Sequence, residues 1–175
     1  EAGYPKGIKI ELWTSRSEQL PRMAQTIQAY LAPVGIRVKI VQRDASSMRA
    51  AARNGKTDIA LKDWYADYPD AENFLYPLLH SANRGVGGNV SFFSNATFDS
   101  VVSKARREPD DQKRFVLYRE ADSLAHEQAP MLFMFFYTEV YAVQPWLKGF
   151  TVPSIFTGER WTAAHIERPP KPAAK

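Results

Sequence analysis

Apolar and polar residues alternate over Gly7–Thr14, with Ile8, Ile10 and Leu12 on one face and Lys9 and Glu11 on the other. A period of two is that of a strand buried on one side. Leu20, Ala24, Ile27 and Leu31, with Met23 and Tyr30 beside them, then recur at helical spacing. Ser15 or Ser17 is placed to cap this helix, Pro21 fits its first turn, and Pro33 and Gly35 end it. Ile36–Gln42 alternates again, with Ile36, Val38 and Ile40 on one face. Strand, helix and strand in about 35 residues predict a βαβ unit, whose strands run parallel with a right-handed crossover.

Beyond that unit, Ala45–Asn54 reads as a short helix opening with Ser46–Ser47 and closing at Gly55. Asp58–Tyr65 is mostly apolar and holds no turn residue, which predicts a largely buried strand. Pro69 and Asp70 mark a turn. Ala71–Leu79 follows as a short helix with Asp70 as its N-cap and Phe74, Leu75, Leu78 and Leu79 on one side. Ser81–Asn95 is rich in Gly, Asn and Ser: either a functional or mobile loop, or a surface loop anchored by Phe92 and Phe93. Thr97–Arg107 and Asp110–Gln128 read as helices parted by Glu108-Pro109. The second carries a stripe of Val116 or Leu117, Ala121, Leu124 and Ala125 and stops at Pro130. Met131–Tyr137 and Glu139–Val143 are apolar and aromatic enough for two strands, Gln144–Phe150 bears a turn, and Thr151–Ile166 is irregular. Strands separated by helices place the chain in the α/β class.

The chain has 175 residues, 45% hydrophobic and 24% charged, the profile of one domain with its own core. The net charge of +4 is dispersed. The basic runs Arg49–Lys56 and Lys104–Arg107 lack the aromatic interleaving of a nucleic-acid surface, so no nucleic-acid partner is expected. The absence of cysteine excludes disulfides, thiolate metal sites and a Cys nucleophile. The longest apolar run, Met131–Tyr137, is too short to span a bilayer. The opening EAGYPKG shows no signal peptide, which fits a removed leader or an excised piece, and the Pro/Ala/Lys-rich tail, Arg168–Lys175, is expected to be extended or disordered. His80, His126 and His165 share no metal spacing, and no phosphate loop, nucleophile elbow or HExxH is present, so neither metal nor cofactor is expected.

The chemistry concentrates in Asp58–Leu79. Asp63, Asp67, Asp70 and Glu72 lie within ten residues, with Trp64 and Tyr65 among them and no Lys or Arg after Lys62. Carboxylates beside aromatics at the carboxyl end of a buried strand can hold a small cationic ligand, because α/β sheets bind ligands at that end. Equally, Asp70 can cap a helix, the other acids can be solvated, and Trp64 can belong to the core.

The run Trp64–Leu75, W-Y-A-D-Y-P-D-A-x-N-F-L, resembles a segment of the bacterial extracytoplasmic solute-binding proteins of family 5, the peptide, dipeptide and nickel receptors of ABC importers. Further stretches match in order. Tyr4–Leu12 resembles the strand that opens that family's third, C-terminal domain, and Gln25–Val38 its helix and G-I-x-V strand. Gly88–Ala105, Arg114–Pro130 and Val143–Phe150 resemble its N-x-x-x-x-x-N-x-x-F-D, R-x-x-L-Y and V-x-P-x-V-x-G-F stretches.

The resemblance implies a periplasmic-binding-protein type II-like lobe with a mixed sheet flanked by helices, residues 4–166, followed by a tail, 167–175. It implies a periplasmic or extracytoplasmic receptor, lipid-anchored in some full-length forms, that needs a missing N-terminal lobe and works with an ABC importer permease. The family's Asp three residues after the Trp binds a peptide's α-ammonium, and that residue is Asp67 here. Asp63, Trp64 and Tyr65 would offer backbone groups to an extended peptide. Asp63 stands where the family often has Gly, and no Arg matches the residues that some relatives use for a peptide carboxylate. The alternatives are a ligand-sensing domain of a regulatory or chemosensory protein, or acid–base chemistry by Asp63 and Asp67, which nothing else in the sequence supports.

Overall fold

The computed structural model describes residues 3–16, 19–138, 140–152 and 161–167. The βαβ unit forms as its periodicity requires. Strand β1, Ile8–Ser15, and strand β2, Ile36–Arg43, pair in parallel along their whole length, from Ile8 beside Ile36 to Ser15 beside Arg43. Helix α1, Leu20–Leu31, crosses between them. Leu12, Ala24, Val38 and Leu61 form the buried core under α1, with Ile10, Met23, Ile27 and Ile40 around it. Gln19, not a serine, occupies the α1 N-cap, and its side chain makes no capping bond. Ser15 is the last residue of β1 and Ser17 lies outside the described residues. Pro21 lowers the need for a cap, since it has no N–H to satisfy.

Helix α2, Ala45–Arg53, opens one residue before the serines. The Asp44 carboxylate accepts from the Ser46 hydroxyl and the Ser47 N–H, and those bonds hold its pKa well below the usual carboxylate range. Strand β3 is Ile59–Ala60 only and lies parallel to β1 on the side away from β2, giving the order β2-β1-β3. The expected strand Asp58–Tyr65 is thus cut short. Ile59 faces Leu12 and Ala60 faces Trp13. Continuing that register would put Lys62 beside Ser15, where β1 ends and the ladder has no partner left.

Helices α3, Glu72–Leu79, α4, Ala96–Ala105, and α5, Asp111–Gln128, bury a second core of Leu75, Leu79, Phe98, Val101, Val102, Ala105, Tyr118, Ala121 and Ala125. Phe74 turns outward, because Leu75 and Leu79, four residues apart, take the single face that so short a helix can bury. Val116 is likewise exposed, Leu117 is the one of the two that packs against this core, and Tyr118 is buried beside it on α5. The α4 and α5 N-caps are Asn95 and Asp110, each accepting from the backbone three residues on.

The polar loop after α3 is ordered from within. It makes two short 3₁₀ turns, Ser81–Asn83 and Gly85–Gly87, around the fully buried Asn89. The Asn89 Nδ2 donates to the carbonyls of Leu79 (3.0 Å), His80 (3.2 Å) and Phe93 (3.0 Å). Its Oδ1 accepts from the Ser91 hydroxyl and the Phe93 N–H. Such a residue replaces, for the loop, the ladder bonds that a strand would make.

Residues 131–143 depart most from expectation. No strand forms at Met131–Tyr137; over Glu139–Val143 the described residues 140–143 are also outside any strand, and Glu139 lies outside the described residues. Leu132 is 79% exposed, Phe136 96% and Val140 90%, with Phe133, Phe135, Tyr141 and Val143 also open to solvent. β-propensity is a fit to a pleated neighbour, and the described residues provide no such neighbour here. A short antiparallel pair follows, β4, Leu147–Lys148, with β5, His165–Ile166. Glu167, the first residue assigned to the tail, donates its N–H to the Trp146 carbonyl, and 168–175 lie outside the described residues. The α/β class holds, with a parallel sheet flanked by helices and a separate antiparallel pair.

Asn89 gives the fold its most direct test. Asn89→Ala takes the carboxamide donor from the Leu79 and Phe93 carbonyls, while the His80 carbonyl keeps the Asn83 N–H, and it is expected to cost about 2–4 kcal/mol, read as a lower urea unfolding midpoint. A loss under about 1 kcal/mol would mean that water replaces the carboxamide and that the loop does not depend on it.

Candidate functional site

Where β3 ends, the chain turns away from the sheet and forms one wall of an open cavity of about 740 Å³. Asp63, Trp64, Tyr65 and Asp67 all line it, together with Met48, Arg49, Ala52 and Arg53 from α2, Lys62, Val86–Gly88 from the polar loop, and Tyr137. The sheet's carboxyl end is thus where the candidate residues meet, as the topology of α/β sheets favours.

The acids of this segment divide into two pairs. Asp70 is ion-paired with Arg114 of α5 and accepts the Glu72 N–H at 2.8 Å. It therefore braces the first turn of α3 from one residue further out than an N-cap; Ala71 holds the cap position itself. Glu72 pairs with Arg106 at 2.8 Å, and that guanidinium lies 3.6 Å from the centre of the Tyr76 ring. The Tyr68 hydroxyl also donates to Glu72, whose carboxylate pushes the phenol's pKa up. Asp63 and Asp67, in contrast, have no ion pair to a cation among the described residues, and both border the cavity.

Asp67 is held from behind by Asn73. The Asp67 N–H donates to the Asn73 Oδ1 at 3.1 Å, and the Asn73 Nδ2 reaches the Asp67 Oδ2 at 3.4 Å. The same Oδ1 accepts the Trp64 indole N–H at 3.1 Å. Trp64 is thereby fixed at the cavity wall instead of in either hydrophobic core, and the Lys62 ammonium lies 5.0 Å from its ring centre. Tyr65 stacks on Tyr137 with ring centres 6.4 Å apart and planes 11° from parallel.

Three cations line the same cavity, and sequence reasoning did not find them. Arg49 and Arg53 stand four residues apart on α2, a spacing that puts both on one face, and this was the available signal. The Lys62 Nζ donates to the Gly88 carbonyl at 2.9 Å, tying the polar loop to the strand end. Desolvation first, then the charge of Arg53, lowers its pKa. Two glycines let the loop come this close. A Cβ on Gly85 would lie 2.6 Å from the Arg53 carbonyl oxygen, and one on Gly88 would lie 2.8 Å from that of Pro77.

One further constellation looks catalytic and is not. His80 Nε2 is 3.2 Å from the Ser103 hydroxyl, and its Nδ1 is 3.7 Å from Asp99. The Ala82 N–H, however, donates to Nδ1 at 3.1 Å. That nitrogen is an acceptor, so the ring proton sits on Nε2 and points at Ser103, the reverse of what a general base for serine needs. His126 is exposed on α5 and His165 is exposed beside Glu167. Among the described residues no group of three or more His, Asp or Glu side chains is placed to hold a metal, and no helix is long and apolar enough to cross a membrane.

Residues 1–86 match the model described as bacterial extracellular solute-binding proteins, family 5 Middle. The dipeptide-binding protein of Escherichia coli is 32% identical over 157 residues, covering 87% of this chain and 29% of that protein. Di/tripeptide-binding protein 2 of Pseudomonas aeruginosa is 39% identical over 136 residues, covering 75% of this chain and 26% of that protein. Among solved structures, an ABC transporter-associated periplasmic binding protein from Helicobacter pylori, in complex with the peptide STSA, overlays with a TM-score of 0.69 at 36% identity, over 74% of this chain and 25% of that one. The chain therefore spans well under a third of the length of these relatives, which are binding proteins by name and not enzymes. In sequence and in fold, the chain belongs to the family 5 extracellular solute-binding proteins.

Proposed function

We propose that residues 4–166 are the C-terminal ligand-binding lobe of a receptor that delivers peptides or related small solutes to an ABC importer permease, and that Asp67 binds the ligand's ammonium group. The observation that carries this reading is the division of the acids. Asp70 and Glu72 are neutralised by Arg114 and Arg106, whereas Asp67 borders the cavity with no cation paired to it among the described residues. A charge left unpaired at a cavity wall favours a ligand of opposite sign.

The remaining wall chemistry supports the same ligand class. Arg49, Arg53 and Lys62 share the cavity with Asp63 and Asp67, and a cavity with both signs of charge suits a zwitterion such as a short peptide. Those cations supply the carboxylate partner that the sequence motif lacks. Trp64 and Tyr65 give apolar surface to the ligand's side chains, and the backbone leaves the sheet ladder after Leu61 on its way to the cavity. The relatives' names and the peptide held by the Helicobacter pylori protein point to the same chemistry. The receptor works outside the cytoplasm, as its family does. An attached lipid is one way to keep it near the permease.

On this reading the exposed residues 132–138 and 140–143 are covered by the N-terminal lobe of the same receptor. Its aromatic side chains form a face that a free surface rarely keeps open, and the relatives are more than three times as long as this chain.

Two results are expected. In the whole receptor, Asp67→Asn weakens binding of the dipeptide Ala-Phe by about 1–3 kcal/mol and leaves N-acetyl-Ala-Phe nearly unchanged, measured by titration calorimetry. Equal losses for both would reduce Asp67 to a loop-shaping residue. The chain alone binds the dye ANS strongly and the whole receptor does not; equally weak binding by both would show that the 131–143 face needs no lobe to cover it.

A further inference from the structure

We infer that Asn73 is the positioning residue of this site, a single buried carboxamide that aims both Asp67 and Trp64 into the cavity. This deepens the ligand reading above and rests on it for the ligand's chemistry, but not for the geometry.

Asn73 lies in the second position of α3 and is 4% exposed. A buried carboxamide must place its donors and acceptor or cost free energy, so its partners reveal what it is for. Here its Oδ1 accepts from the Trp64 indole and from the Asp67 N–H, both at 3.1 Å, and its Nδ2 leans on the Asp67 Oδ2 at 3.4 Å. These three bonds go to residues that line the cavity, while Asn73 itself does not line it; the carboxamide also reaches the Tyr68 hydroxyl, which lies outside the cavity wall. The carboxamide therefore ties the two ligand-facing groups to one point on α3.

That point is itself immobilised. The residues on either side of the α3 start, Asp70 and Glu72, are ion-paired to Arg114 on α5 and Arg106 after α4. Rigidity passes from the three-helix core through those pairs to Asn73, and from Asn73 to Asp67. Without the carboxamide, residues 62–68 have lost the ladder and keep no comparable anchor for both groups at once. A carboxylate that wanders by an ångström binds an ammonium poorly, because a charge-assisted hydrogen bond depends on donor–acceptor distance and angle.

The test uses the whole receptor labelled with ¹⁵N-tryptophan, with the Trp64 indole resonance assigned by its loss in Trp64→Phe. The probes are Ala-Phe and N-acetyl-Ala-Phe. Asn73→Ala is expected to move the indole resonance and to weaken Ala-Phe by about tenfold more than its acetylated form. Asn73→Asp keeps an acceptor for both N–H groups, so it restores the indole resonance; it also sets a carboxylate oxygen where Nδ2 stood, 3.4 Å from the Asp67 Oδ2, so the preference for the free amine is read from Asn73→Ala alone. A merely structural role would lower the melting temperature in Asn73→Ala and leave that preference intact, and this result would overturn the inference, as would an unmoved indole resonance. Should Asn73→Ala not fold, Asn73→Ser, whose hydroxyl is too short to reach both donors, is read in the same way. If Asp67→Asn itself shows no loss for the free amine, the ammonium reading fails; the indole resonance then decides alone, with movement in Asn73→Ala and recovery in Asn73→Asp upholding the positioning role and an unmoved signal overturning it.

Discussion

Four carboxylates within ten residues repel one another, and the chain meets this constraint by pairing only two of them with cations. Arg114 and Arg106 come from the two helices behind the site, and they draw Asp70 and Glu72 backward. The pairing does two jobs. It docks α3 onto the helical core, and it leaves Asp63 and Asp67 as the charges that face open space. Partly exposed ion pairs of this kind contribute modestly to stability. Their larger effect is on orientation, since reversing either pair would turn the start of α3 and with it everything that Asn73 holds.

The sheet shows what a sequence can and cannot declare. Period-two alternation at Ile8–Leu12 and Ile36–Ile40 is local information, and the parallel βαβ unit follows from it through handedness. The length of β3 is not local. Nothing in Asp58–Tyr65 says where its neighbour stops; that depends on β1 ending at Ser15 and on the register between the two. The same holds for 131–143. Its residues state a preference for strand, but a strand exists only beside another, and the described chain has none to offer at that place.

The site was legible to different depths for different residues. Asp67, Trp64, Tyr65 and Asp63 stand in one contiguous motif, so proximity in sequence already implied proximity in space. Arg49 and Arg53 were legible in principle from their spacing on α2, but nothing local says that this face looks toward Asp67, some fifteen residues later. Asn73 stood inside the motif and still gave no signal. An Asn near a helix start reads as ordinary turn chemistry, and the proposed role appears only once its partners Trp64 and Asp67 are seen to share a cavity.

The cavity and the exposed face meet at one residue. Tyr137 belongs to the uncovered aromatic run, lines the cavity and stacks on Tyr65, next to the acids. A partner that covers residues 132–138 and 140–143, as proposed, also fixes the ring beside the proposed ligand. On the proposed reading, docking of the second lobe and completion of the site are the same physical event. An open wall leaves Asp67 in water, where its attraction for an ammonium is screened to little; a second wall removes that water and strengthens each charged contact the first wall has placed. On that reading this wall supplies position, and the affinity comes with the closure of the other half against it.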